Sequence, residues 1–277
     1  MARVMSALKR LLIILSWLLG IPLVFYSLLY AAQDRALFAA PPMEPSKLAW
    51  ARGLYPQAEL NLTTPEGVSL HGWLVLPATP GPHPLLLVFG GNGDEATSYL
   101  YYREELPEHA WLVINYRSYG LSGGEPSETA FYQDALMLYD WAAQHPALDA
   151  TKIIPFGRSL GSGVAVYLAA QRPVQRVILV SPYDSLSAIV QRFYPYLPVS
   201  WLLKNPFVAT NFAPQAKAPM LALLAADDIL IPPTQSQRLI DVWGGPARSQ
   251  VIADCDHNSV LTGPGFWEAV RTFLATP

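Results

Sequence analysis

The chain begins with a long apolar run whose pattern differs from everything that follows it. Residues 11–32, LLIILSWLLGIPLVFYSLLYAA, carry no charge, and about 20 apolar residues are enough to cross the hydrocarbon core of a bilayer. Arg3, Lys9 and Arg10 come before the run, and basic residues mark the cytoplasmic side of a span. The pattern therefore predicts a cytoplasmic leader over residues 1–10 and a single transmembrane anchor over residues 11–32. The rest of the chain would lie across the membrane, in the periplasm if the source is a Gram-negative bacterium.

A cleavable signal peptide is the alternative interpretation of this run. Such a peptide has an apolar region of roughly 7–15 residues and small residues before its cleavage site. The run is longer than that, and Tyr30 occupies a position that would need a small residue for cleavage before Gln33. The pattern thus favours an uncleaved anchor. Prolines at positions 41, 42 and 45 then predict a semi-rigid linker over residues 33–56.

From residue 57 onward the pattern is typical of an α/β domain. AELNLTT and VSLHGWLVLPA alternate apolar and polar residues on either side of PEG, which predicts an antiparallel hairpin. Helix-like stretches then separate short, almost continuous apolar runs, as in a parallel sheet that is covered on both faces. These runs span residues 84–90, 110–116, 152–157, 174–182, 219–225 and 249–255. We therefore predict one domain over residues 57–277 with a mostly parallel central sheet flanked by helices.

Residues 183–213 interrupt this alternation with many aromatic residues and several prolines. The segment is predicted to be a small, cap-like insertion over one end of the sheet. Its aromatic side chains could line an acyl pocket, touch the bilayer, or simply pack the insertion onto the sheet.

Composition and charge exclude two classes of function. The 277-residue chain has a formal net charge of −3 at pH 7 and no basic block, so it lacks the electrostatic footprint of a nucleic-acid-binding protein. Its one cysteine, Cys255, cannot form an intrachain disulfide, and its five histidines do not form a metal-binding motif. We expect no metal site.

One serine lies in a glycine-rich turn between an apolar run and a helix-like stretch. In GRSLGSG, residues 157–163, Ser159 stands between Gly157 and Gly161. G-x-S-x-G between a strand and a helix is the nucleophile-elbow pattern, in which a sharp turn presents the serine at the carboxyl edge of the sheet. Glycine and serine are common in turns, so the motif alone is weak. The flanking KIIPF and GVAVYLAAQ supply the required strand and helix.

The residues after Ser159 include candidates for a catalytic base and acid. A serine hydroxyl needs a base within hydrogen-bonding reach, and the base needs an acid that orients it. In proteins with a nucleophile elbow, the order of these residues along the chain is serine, acid, histidine. His257 is the only histidine after Ser159 and is the predicted base. Asp228, in the compact loop of LLAADDILIPP, is the favoured acid, with Asp227 and Asp184 as alternatives.

An acyl-transfer site also needs an oxyanion hole, in which backbone N–H groups meet the charge that develops on the carbonyl oxygen. The residue after the nucleophile, Leu160, is one predicted donor. The loop VFGGNGDEA is expected to supply the other, with Asn92 favoured over Gly91. A phosphate-binding loop is the alternative interpretation, but neither GK[ST] nor G-x-G-x-x-G is present there.

These motifs together resemble the α/β-hydrolase superfamily. The chain from about residue 58 to its end looks most like the membrane-anchored serine hydrolases of the ABHD type and their bacterial counterparts. The matching stretches are FGGNGDEA, INYRSYGLSGGEPSE, FGRSLGSGVA, SPYDSL, the Asp228 loop and CDHN. The resemblance implies the same triad and oxyanion donors and no cofactor. The family often has His-Gly where this chain has Gly90-Gly91, which bears on how the oxyanion loop is supported.

The favoured function is therefore that of a membrane-anchored serine hydrolase that cleaves an acyl ester or thioester. Its partners would be a small-molecule or lipid acyl substrate and the membrane. Peptide or amide cleavage on the same scaffold is one alternative, and a non-catalytic member that binds a lipid or a protein is another.

Overall fold

The computed structural model describes residues 2–276, and its first element is one long helix. Helix α1 spans Ala2–Leu37 and includes Pro22. Its stretch Ser16–Leu37 is apolar enough and long enough to cross a membrane, and it is not buried against the rest of the protein. The helix contains the predicted anchor and continues past residue 32. Several side chains in its first half, including that of Arg3 in the predicted leader, lie outside the described part.

The described residues form an eight-stranded sheet with the order β1-β2-β4-β3-β5-β6-β7-β8. The strands are β1 (Glu59–Thr63), β2 (Ser69–Val75), β3 (His83–Phe89), β4 (Ala110–Ile114), β5 (Leu148–Arg158), β6 (Val177–Val180), β7 (Met220–Ala225) and β8 (Ala247–Ile252). Strand β2 runs antiparallel to both β1 and β4, and the other neighbouring pairs are parallel. The predicted hairpin and the predicted mostly parallel sheet are both confirmed.

Helices cover both faces of this sheet. They are α2 (Pro45–Leu54), α3 (Thr97–Leu100), α4 (Glu128–Gln144), α5 (Leu160–Gln171), α6 (Leu186–Phe193), α7 (Val199–Leu202), α8 (Pro233–Asp241) and α9 (Phe266–Ala275). Side chains of a strand alternate between its faces, so β3 contributes Leu85 and Leu87 to one hydrophobic cluster and Leu86 and Val88 to the other. Burial on both faces explains the continuous apolar runs in the sequence.

The segment predicted as a linker, residues 33–56, is largely folded onto the domain. It contains the last turn of α1 and the whole of α2, and Phe38 between them is buried against the rings of Phe131 and Phe207. Pro45 begins α2 instead of interrupting it, because the first helical position needs no backbone N–H donor. Pro45 thus marks the start of a helix, and the segment predicted as a semi-rigid linker contains helical residues that pack onto the domain.

The insertion, residues 183–213, has a buried side and an exposed side. It contains α6 and α7, and Phe207 near its end is fully buried in the core. Tyr196 and Trp201 are 95% and 87% exposed. Packing onto the sheet therefore accounts for only part of its aromatic content.

Candidate active site

The nucleophile-elbow pattern folds into a sharp corner between β5 and α5. Strand β5 ends at Arg158, α5 begins at Leu160, and Ser159 between them has φ +50° and ψ −119°. A side chain on Gly157 would lie 2.4 Å from the carbonyl oxygen of Gly161, and one on Gly161 would lie 2.1 Å from that of Phe89. Both positions of the motif therefore require glycine, because the strand, the helix and the neighbouring strand approach so closely.

Three predicted residues meet at the carboxyl edge of the sheet. The Oγ atom of Ser159 lies 2.9 Å from Nε2 of His257, and Nδ1 of the same ring lies 2.8 Å from Oδ2 of Asp228. All three residues are buried. The three residues follow the ends of strands that are distant along the chain. Their side chains form one hydrogen-bonded series. A series of this kind can transfer the serine proton to the imidazole while the carboxylate holds the ring.

The carboxylate of Asp228 is fixed by its own loop. Its Oδ1 atom accepts hydrogen bonds from the backbone N–H groups of Leu230 and Ile231, at 3.0 and 2.7 Å. Burial alone would raise the pKa of Asp228, but the hydrogen bonds from His257 and Ile231 outweigh it, and the pKa is lowered. Asp228 is thus held in its charged form beside the imidazole.

The two alternative acids lie elsewhere. The side chain of Asp227 is exposed. Asp184 is buried, and its carboxylate accepts hydrogen bonds from Gln235 at 2.9 Å and Arg238 at 3.1 Å. Of the three candidate acids, the structure brings Asp228 to His257.

The two predicted oxyanion donors belong to the first turn of α5 and to the loop after β3. Leu160 is the first residue of α5, where backbone N–H groups have no partner within the helix. In the loop after β3, the N–H of Gly91 is already engaged by Asp94 Oδ2 at 2.7 Å. No hydrogen bond engages the backbone N–H of Asn92 among the described residues. The geometry therefore leaves Asn92, and not Gly91, with an available N–H in this loop.

The Asn92 side chain has a role that the sequence did not indicate. Its Nδ2 atom donates to the carbonyl oxygen of Leu37 at 2.7 Å, and its Oδ1 atom accepts from the backbone N–H of Ala39 at 2.9 Å. The hydroxyl of Tyr119 also donates to Oδ1, at 2.7 Å. The loop that follows β3 is thereby joined to the end of α1.

Sequence reasoning also missed Arg158, the residue before the serine. Its guanidinium is buried, donates to Asp94 Oδ2 at 2.7 Å and donates to the carbonyl oxygen of His257 at 2.9 Å. Asp94 also accepts a hydrogen bond from the hydroxyl of Tyr99 at 2.5 Å. Arg158 thus joins the elbow, the loop after β3 and the loop of His257. In the sequence, the only sign of this role was a charged residue directly before the serine of the elbow.

Within residues 2–276, no group of three or more His, Cys, Asp or Glu side chains is arranged to hold a metal ion. Cys255 is buried, with its Sγ atom 3.2 Å from the carbonyl oxygen of Ile252, and burial raises the pKa of its thiol.

Comparison with known proteins places the chain in a family. No family model matches it. An uncharacterised protein of Mycobacterium tuberculosis is 32% identical over 224 residues, which is 78% of each chain. The lysophosphatidylserine lipase ABHD12 of Danio rerio is 27% identical over 276 residues, covering 83% of this chain and 72% of the relative. The chain belongs to the ABHD-type α/β-hydrolases.

The fold of this ABHD-type hydrolase is also found in solved esterases. An esterase from Pyrococcus furiosus superposes with a TM-score of 0.67 at 17% identity, over 86% of this chain and 97% of the esterase. At that identity the likeness concerns the fold alone. Hydrolase activity is supported by the membership of the chain in this family.

Proposed function

We propose that the protein is a membrane-anchored serine hydrolase that cleaves an acyl ester or thioester. The observation that carries the proposal is the hydrogen-bonded series of Ser159, His257 and Asp228. Its first member has the strained backbone of a nucleophile elbow. The second and third members supply a base and an orienting acid in the geometry that activates a serine hydroxyl.

In the proposed acylation step, Ser159 Oγ attacks the acyl carbonyl carbon while its proton passes to Nε2 of His257. The Nδ1–H of the imidazolium donates to Asp228, which stabilises the new positive charge. The negative charge on the carbonyl oxygen is met by the backbone N–H groups of Leu160 and Asn92. Collapse of the tetrahedral intermediate breaks the ester or thioester bond. The leaving alcohol or thiol takes the proton back from His257.

The proposed deacylation step uses the same groups. His257 takes a proton from water, and the resulting nucleophile attacks the acyl carbon bound to Ser159 Oγ. The same two backbone N–H groups meet the oxyanion. The intermediate then releases a carboxylic acid and returns the proton to the serine. The overall reaction consumes one water molecule and needs no cofactor.

The membrane part of the proposal is supported by α1. Its apolar stretch is unburied over the length of a bilayer core, and basic residues precede it in the sequence. Single-pass insertion with the N terminus in the cytoplasm would place the α/β domain on the opposite side. A lipid or other acyl substrate is in keeping with the lipase relative and the esterase neighbour.

Labelling and turnover of the full-length protein test this function. The chain in lipid nanodiscs should react with a fluorophosphonate probe and hydrolyse p-nitrophenyl acyl esters. Ser159→Ala should abolish both, with a rate loss of at least about 10³-fold. The control Ser249→Ala changes an exposed serine on strand β8 and should behave as the parent.

The substrate panel distinguishes the alternatives. Turnover of a dipeptide amide in preference to every ester would identify an amidase or peptidase. A folded parent protein that never reacts with the probe, or Ser159→Ala labelled as fast as the parent, would contradict the serine mechanism.

A further inference from the structure

An apolar groove of about 300 Å³ lies between α1 and the insertion. Nine of its eleven lining residues are leucine, alanine or valine. Ala32, Ala36 and Leu37 form part of the α1 wall, and Val190 and Leu202 form part of the facing wall. Gln33, one of the two polar lining residues, already donates from Nε2 to the carbonyl oxygen of Leu202 at 2.9 Å. The interior therefore suits a hydrocarbon group and offers little to a polar one.

Polar contacts at the rim hold the two walls together. The carboxylate of Asp34 accepts from Nζ of Lys204 at 2.8 Å and from Nδ2 of Asn205 at 2.9 Å. The backbone N–H of Lys204 donates to Gln33 Oε1 at 2.8 Å. Because several independent contacts fix α1 against the insertion, the groove between them is a built feature of the molecule.

The outer side of the insertion is suited to the membrane surface. Tyr196 and Trp201 are almost fully exposed, and these two residue types are enriched where a protein meets the interface of a bilayer. They belong to the segment that forms one wall of the groove, and the candidate membrane span forms the other. If α1 crosses the bilayer as proposed, the groove lies beside the membrane, where lipid acyl chains are available.

One wall of the groove is bonded to the loop that follows β3, next to the proposed active site. Leu37 lines the groove, and its carbonyl oxygen accepts the hydrogen bond from Asn92 Nδ2. The neighbouring Gly91 is so close to the serine that a side chain on it would lie 3.4 Å from Cβ of Ser159. One groove-lining residue is thus bonded to the loop that lies beside the nucleophile.

We propose that this groove holds the aliphatic chain of the substrate, so that the anchor helix forms one wall of the acyl-binding site. The inference rests on the proposed function and narrows its substrate to an acyl group with a medium or long chain. A groove of about 300 Å³ has room for a chain of several methylenes. Shorter acyl groups would leave it unfilled.

A pair of matched substitutions on α1 tests the groove. Ala36→Trp places a large side chain inside it, whereas Ala31→Trp changes an exposed alanine of the same helix that does not line it. In nanodiscs, the ratio of kcat/KM for a dodecanoyl ester to that for an acetyl ester should fall at least about tenfold in Ala36→Trp. Ala31→Trp should keep the parental ratio. An unchanged ratio in Ala36→Trp, or an equal fall in both variants, would overturn the proposal.

Photo-crosslinking tests the same groove without catalysis. A dodecanoic acid that carries a terminal diazirine is irradiated with the full-length Ser159→Ala protein in nanodiscs, and the labelled peptides are mapped by mass spectrometry. Labelling of residues 190–203 and 29–37 should be strong, and Ala36→Trp in the same background should reduce it several-fold while Ala31→Trp does not. Labelling spread evenly over α1 would refute the groove, whatever the outcome of the ester assays. Groove labelling in a protein without esterase activity would refute the proposed function alone.

Discussion

Single side chains hold the segments of the candidate site together, and Arg158 forms hydrogen bonds with two of these segments. Its guanidinium donates to Asp94 in the loop after β3 and to the backbone carbonyl of His257. Burial and the nearby Asp94 raise the pKa of Tyr99 well above its usual range, so its hydroxyl remains a donor to the same carboxylate. Arg158 touches none of the proposed reacting atoms and is therefore a positioning residue.

Replacing Arg158 should slow turnover more than it weakens the fold. Arg158→Met keeps the length of the side chain but removes both hydrogen bonds, so kcat should fall about 10- to 100-fold with a smaller change in KM. Arg158→Lys should recover only part of the rate, because one ammonium does not reproduce the two-pronged guanidinium. Ester kinetics and fluorophosphonate labelling rates provide the measurement.

The matched control for Arg158 is Arg248→Met, at an exposed arginine on strand β8. It should leave kcat and labelling at parental values. If Arg158→Met lowered the thermal unfolding midpoint while folded protein kept the parental kcat, Arg158 would be structural only.

Among the elements, α2 is tied to the edge of the sheet by one carboxylate. Glu59 on β1 accepts from Arg52 of α2 through two contacts of 2.7 Å, and it lies 2.9 Å from Nε2 of the buried His71. The pKa of Glu59 is lowered from 4.5 to about 2, mainly by the hydrogen bond from Arg52. Burial has a smaller effect in the opposite direction. This contact helps to fold the segment that the prolines had suggested was a spacer.

The lowered pKa of Glu59 predicts a pH-dependent loss of stability. Because the pKa is lower in the folded state, Glu59 stabilises the fold above about pH 4.5, and this contribution is lost as the pH falls toward 2. After allowance for solvent screening at this partly exposed pair, the contribution is on the order of 1 kcal/mol. Thermal unfolding of the full chain in detergent, at about pH 6 and about pH 3, measures it.

Glu59→Gln should lower the unfolding midpoint at the higher pH and reduce the difference between the two pH values. The control Glu125→Gln changes an exposed carboxylate and should preserve the parental difference. A parental pH difference in Glu59→Gln would contradict the assigned role.

At the scale of the whole molecule, α1, the proposed anchor, and the α/β domain meet at the loop after β3, which carries one proposed oxyanion donor. Asn92 joins the two by accepting from Ala39 and donating to Leu37. A membrane helix that only tethered the domain would need no such contact with the loop beside the nucleophile. The arrangement couples the position of α1 to the proposed oxyanion donor.

Breaking this junction should therefore reduce turnover. Asn92→Ala keeps the backbone N–H but removes the contacts to α1 and Tyr119, so kcat for a short ester should fall about tenfold. That loss is smaller than the roughly 10²–10³-fold expected when an oxyanion donor is removed outright. Asn61→Ala, at an exposed asparagine on β1, is the control and should match the parent in the same esterase assay. Parental kcat in Asn92→Ala would show that the junction does not support the site.

Much of the fold could be predicted because its signals are local. The period of apolar residues revealed the hairpin, the parallel strands and the apolar helix, since burial of one or both faces imposes that period directly. G-x-S-x-G between a strand and a helix located Ser159, because only glycine fits where those elements touch. The chain order left His257 as the one histidine after it.

Only the tertiary structure decided which distant groups meet. It selected Asp228 over Asp227 and Asp184 as the neighbour of His257, joined Arg158 to two loops, and folded residues 33–56 onto the domain. It also formed the groove between α1 and the insertion, whose two walls are more than 150 residues apart in the chain. Periodicity reports how each segment is buried, whereas these contacts depend on how the segments pack against one another, and no local pattern contains that information.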